Sequence, residues 1–160
     1  MECAAEQAKS YLLNSKETSE VIAGIVNQGG QMALAISRAA HASFLDIVKL
    51  DHFVFKIEIY QALIGMKHLS AGSIMDHRHC RLGQWYYEGR GAHECQDSDV
   101  FKKLQFPHAL LHSCAKNIVM SLDERDFENV RNELMKMEDA SIEINALLMD
   151  LANENCLKND

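Results

Sequence analysis

A single proline in 160 residues constrains this chain more than any other feature. Proline and glycine are the usual punctuation between elements, and here Pro107 and eight glycines must serve the whole length. Alanine, leucine, glutamate, lysine and methionine are plentiful, so the composition predicts an almost wholly helical protein. The length suits one domain with room for an appended helix, and it is enough to bury a real core.

Charge and apolar runs exclude several classes. The net charge is −7, and the basic residues stand singly among acids, which argues against a nucleic-acid partner. The longest apolar run covers residues 21–26, far short of the roughly 20 residues that a membrane-crossing helix needs. Direct membrane insertion is therefore not expected. The first residues lack the basic start and apolar centre of a signal peptide. Five cysteines, an odd number without framework spacing, predict thiols in a reducing, cytoplasmic setting.

Apolar periodicity sets out the elements. Residues 17–65 read as a long helix, with a possible break at Ala42-Ser43. Val21, Ile25, Gln28, Met32, Ala35 and Ala39 step by three and four, a weak heptad interrupted by Gly29-Gly30 that calls for a packing partner. Residues 44–63 form a more apolar core helix with His52 at its middle, and 69–75 read as a loop. A short helix over 78–88 should stop at Gly89-Arg90-Gly91. Asp97 or Ser98 caps a short segment to about 105, and Pro107 should open the next helix at its first turn, running over 108–122 to Asp123. The last helix covers 127–155. The expected fold is an all-α four-helix bundle with a long N-terminal helix and a short extra helix around Cys80.

His108 and His112, four apart, lie on one face of a helix, ready to share a metal. A dense cluster over 76–85 holds His77, His79 and Cys80, and the intervals from His52 to Cys80 and from Cys80 to His108 are both 28 residues. Such equal spacings can return an up-and-down chain to the same height, so His52, Cys80, His108 and His112 could close a tetrahedron. Imidazoles and one thiolate are a donor set that zinc takes. The residues alone leave a blander reading open. Eight histidines give many chance pairs, His52 could be a satisfied core residue, and Cys80 with His77 and His79 could be a surface cluster of incidental affinity.

Longer motifs bear on that choice. Leu50-Asp51-His52-Phe53-Val54-Phe55-Lys56-Ile57-Glu58-Ile59-Tyr60 resembles the first-helix motif of the chemoreceptor zinc-binding domain. Cys80-Arg81-Leu82-Gly83-Gln84-Trp85-Tyr86-Tyr87-Glu88-Gly89 is similar to that family's cysteine motif, and His108 and His112 match its closing histidine pair. The resemblance implies one Zn2+ held by His52, Cys80, His108 and His112. It also implies a cytoplasmic, homodimeric regulatory module for chemotaxis receptors or cyclic-dinucleotide enzymes, with no catalysis of its own. Residues 17–43 resemble the helix leading out of a chemoreceptor signalling region. The expected organisation is thus a helical linker over 1–42, a zinc-binding bundle over 43–155 and a tail over 156–160, as the C-terminal piece of a receptor or a free-standing version.

The chemistry expected of such a site centres on Cys80, the one donor that an oxidant can convert reversibly to sulfenic acid. Zinc level is the alternative signal. Asp51 is a candidate to orient a neighbouring ligand, Cys80 or His112, against the reading of a solvated charge. His77 and His79 could stand in for a missing ligand. Cys114 should be buried and Cys95 exposed, while Trp85, Tyr86 and Tyr87 suit core and dimer packing. A di-iron enzyme would need Glu-x-x-His spacing and a hydrolytic zinc enzyme a His-Glu-x-x-His pattern, and neither is present. A zinc-stabilised structural dimerisation module would share the same four ligands.

Overall fold

A computed structural model describes residues 2–154, with side chains from residue 6 onward. The expected tail over 156–160, and the expected helix end at 155, lie outside the described residues. The elements are α1 (Glu2–Leu63), a 3-10 turn (Ala71–Ser73), α2 (Arg81–Tyr87), α3 (Arg90–Glu94), α4 (Asp99–Glu124) and α5 (Phe127–Asn153). No strand occurs among the described residues. The protein is all-α, a helical bundle. The chain divides into two compact units, Met1–Ala40 and His41–Asp160.

The first unit is helical among the described residues, and Val21, Ile22, Ile25, Val26, Met32 and Ile36 are exposed there. The second unit holds the core. There α1 passes through Ala42-Ser43 without the break that small residues suggested, and it buries Leu45, Val48, His52 and Ile59.

Pro107 does not open a helix. It is buried inside α4, which starts instead at Asp99, where Ser98 Oγ accepts from the Phe101 N–H at 3.1 Å. A mid-helix proline costs about 3 kcal/mol. Burial outweighs it here: Phe101, Leu104, His108, Leu111, Ala115 and Ile118 form one continuous buried stripe on both sides of the proline. Fully burying each large apolar side chain of that stripe contributes about 1.5–3 kcal/mol. The segment to 105 and the helix from 108 are therefore one element. Its end is also later than Asp123, because Arg125 adopts the left-handed conformation (φ 59°) and its N–H bonds back to Leu122 and Ser121. Asp126 then caps α5, accepting from the Asn129 N–H at 3.0 Å.

α2 starts at Arg81, three residues later than expected, because the residues before it form the turn that carries Cys80, and it ends at Tyr87 with Glu88 as its C-cap. Gly89-Arg90-Gly91 is not a plain stop, since Gly89 is the N-cap of α3 and Arg90 and Gly91 lie inside that helix. A Cβ on Gly91 would lie 2.7 Å from the Trp85 indole, so glycine lets α3 pack on that ring. Trp85 is buried, with Phe44 and Phe101 each 5.5 Å away between ring centroids, and Tyr86 stacks on Phe101 at 4.2 Å. Cys95, expected at the surface, is buried in the same core, because it caps α3 and α3 folds inward. Cys114 is buried, as its position on α4 suggested, and Cys80, Cys95 and Cys114 are thiols.

Candidate metal centre

Three elements bring four donors together. His52 rides on the buried face of α1, His108 and His112 ride one turn apart on α4, and Cys80 is the N-cap of α2. One donor atom from each of the four lies within 4.8 Å of the others. Cys80 Sγ is 3.2 Å from His108 Nε2. Tetrahedral zinc with Zn–S of about 2.3 Å and Zn–N of about 2.0 Å spaces its donors roughly 3.3–3.6 Å apart. The observed separations bracket that range.

The imidazoles are arranged for a ligand at their centre. His52 Nδ1 bonds the Val48 carbonyl at 2.8 Å, and His112 Nδ1 bonds the Met75 carbonyl at 2.7 Å. A carbonyl only accepts, so each Nδ1 carries the proton and each Nε2 presents a lone pair. Both Nε2 atoms are buried without a hydrogen-bond partner. Orphaned buried acceptors are costly in a well-packed core, and a cation between them satisfies both. The donor set therefore fits Zn2+, which binds neutral imidazole and thiolate.

Electrostatics agree with neutral rings. Burial holds His52 below its ordinary value, despite the Val48 carbonyl and Asp51. Burial, then the charges of His52, His112 and His77, hold His108 down to about 2. Burial likewise brings His112 to about 4, opposed by the Met75 carbonyl. Without a cation, burial pushes the Cys80 thiol up, while the Gly83 and Leu82 backbone N–H groups pull it down. A bound zinc supplies the positive charge that keeps the sulfur as thiolate.

The turn carrying Cys80 depends on Gly83. A Cβ there would stand 1.9 Å from the His77 carbonyl oxygen and 2.6 Å from Arg78 backbone atoms. Glycine thus lets the turn over 77–79 lie directly on α2. Its N–H donates to Cys80 Sγ at 3.3 Å, and the sulfur also lies 3.4 Å from the His77 carbonyl.

Asp51 bonds neither Cys80 nor His112. Its Oδ2 accepts from Arg81 Nε at 2.7 Å, both side chains being substantially exposed. The groups that orient the rings are backbone carbonyls, which no residue identity advertises. His77, a possible substitute ligand on its sequence position, has its ring centroid 5.8 Å from that of His108. His79 is exposed and pairs with Asp76 at 3.7 Å. A cleft of about 380 Å³, lined by Val54, Phe55, Leu69, Ile74 and Leu82, reaches His52, Cys80 and His112.

Fold and site together define a helical, metal-binding domain. Residues 52–119 match the family model of the chemoreceptor zinc-binding domain, and this segment, which includes all four converging residues, carries that domain. Its cofactor is zinc. No curated protein and no solved structure matches the chain. No helix among the described residues is long and apolar enough to cross a membrane.

Proposed function

We propose that this chain is a cytoplasmic sensory module of a bacterial chemotaxis receptor, holding one zinc through His52, Cys80, His108 and His112 and modulating the signalling region joined to it. The convergence of four donors, two of them orphaned buried imidazole nitrogens, carries this reading. The role is regulatory and not catalytic.

Cys80 is the responsive donor. In the net reaction a thiolate and hypochlorous acid give sulfenic acid and chloride, the sulfur losing two electrons to the chlorine. The cleft leading to Cys80 supports access by so small an oxidant. The changed sulfur then binds the turn over 77–79 and α2 differently, and α1, which carries His52, conveys the change. Zinc level can act through the same contacts.

A homodimer through α1 supports the output. In the first unit Ile22, Val26 and Ile36 are exposed, and in the second Ile47, Leu50, Val54, Ile57 and Ile64. Counted along the sequence, all eight fall in one alternating three-four register, the seam of a two-stranded coil. The alternative is a zinc-stabilised structural dimerisation module, favoured by the burial of the three imidazoles. A receptor assay with Cys80→Ser separates the two. Loss of the oxidant response with zinc-dependent folding intact supports sensing; an unchanged response refutes it.

A further inference from the structure

His77 stands beside the centre without belonging to the four. Its ring centroid is 5.8 Å from that of His108, the same separation that divides His52 from His112. Its Nδ1 faces Asp76 Oδ2 at 3.6 Å, which turns the Nε2 edge away from the carboxylate. A carboxylate behind one ring nitrogen is a common support for a metal-binding imidazole.

His77 is held differently from the other three, its ring edge-on to Tyr87 at 5.9 Å between centroids. His52, His108 and His112 are fixed on long helices, whereas His77 sits in a short turn closed by the His79 N–H on the Asp76 carbonyl at 3.0 Å. His77 and His112 also line one cleft, of about 370 Å³, that leaves the ring room to swing. Cys80 is on the same stretch, its sulfur 3.4 Å from the His77 carbonyl.

We propose that His77 is a reserve ligand: when the Cys80 sulfur leaves the zinc, the His77 imidazole takes its place and the metal stays bound. The proposal rests on the four-residue zinc site. One sulfur–metal bond breaks and one nitrogen–metal bond forms, with no change of oxidation state at zinc. Exchange of a thiolate for a neutral imidazole raises the charge of the site by one. The signal is then a shift of the turn against α2, with the metal retained.

Zinc affinity, by competition with a chromophoric chelator, and the spectrum with Co2+ test this on the full chain. Wild type should show thiolate-to-cobalt charge transfer. Cys80→Ala should lose that band yet keep one metal and the intense visible bands of a tetrahedral centre. Adding His79→Ala should change nothing further, whereas adding His77→Ala should weaken zinc binding about tenfold or more. Equal affinity with and without His77→Ala overturns the proposal, as does a Cys80→Ala protein that binds no metal. If wild type lacks the charge-transfer band, the four-residue site itself is wrong. Circular dichroism checks the helical fold, and Cys80→Ser replaces Cys80→Ala if the latter does not fold.

Discussion

Asp51 Oδ2 accepts a 2.7 Å hydrogen bond from Arg81 Nε, tying the residue before His52 to the residue after Cys80. The pair joins α1 to the start of α2 beside two of the donors. Both side chains are about half exposed, so the pair contributes no more than about 1 kcal/mol. Asp51→Asn and Arg81→Gln should each weaken zinc binding by less than about tenfold. The double variant should bind no worse than the weaker single one. Additive losses in a chelator competition would show that the two residues act separately.

Gly83→Ala should do far more damage. The added methyl meets backbone, the His77 carbonyl at 1.9 Å, and backbone cannot turn aside as a side chain can. The expected cost is about 1–3 kcal/mol, with zinc affinity lowered while the α4–α5 helices persist. Gly24→Ala, with nothing within 4 Å of its Cβ, should instead leave the protein as stable or about 0.5–1 kcal/mol more so. Paired thermal melts and zinc titrations compare the two, and equal behaviour would contradict the packing argument.

How much of this was legible in the sequence follows from the range over which each cause acts. Periodicity is local, so the all-α fold and the limits of α5's start could be read directly. The effect of Pro107 is not local. It signals a helix start by its own chemistry, but the buried stripe from Phe101 to Ile118 overrides it. Cys95 looked exposed because it follows a glycine-rich stretch. Those glycines are there for close packing on Trp85, which draws the cysteine inward. The four residues whose donors converge, His52, Cys80, His108 and His112, were visible through spacing and resemblance. The Val48 and Met75 carbonyls that orient His52 and His112 were not, because backbone partners leave no trace in residue type.

Acid should destabilise the metal-free protein. The folded state holds His52, His108 and His112 below the ordinary imidazole value, so between about pH 6.5 and 4 the unfolded chain binds more protons. Stability contributed by the neutral rings is full above pH 6.5 and falls as the pH drops toward the folded values. Each ring contributes a slope approaching about 1.4 kcal/mol per pH unit. Urea unfolding at pH 7.5, 5.5 and 4.5 (chosen at about one to two units around the imidazole value) should show the decline. It should shrink in His108→Leu, and a flat profile would contradict the assigned neutral cluster.

Charges on the exposed register of α1 should separate the proposed dimer. Val26→Asp with Ile36→Asp places acids at two exposed seam positions of the first unit, neither of them one of the four metal donors. Sedimentation should find a dimer in wild type and a monomer in the variant, both still binding zinc. A variant that remains dimeric would move the interface elsewhere.

The central claim is that His52, Cys80, His108 and His112 hold one zinc, and metal content read beside the reactivity of Cys80 tests it most directly. Elemental analysis of purified wild type should find one zinc per chain, with Cys80 protected from a thiol reagent until a strong chelator is added. Cys80→Ala should hold its zinc more loosely. Iron in place of zinc, or a Cys80 that reacts equally fast with and without chelator, would contradict the account.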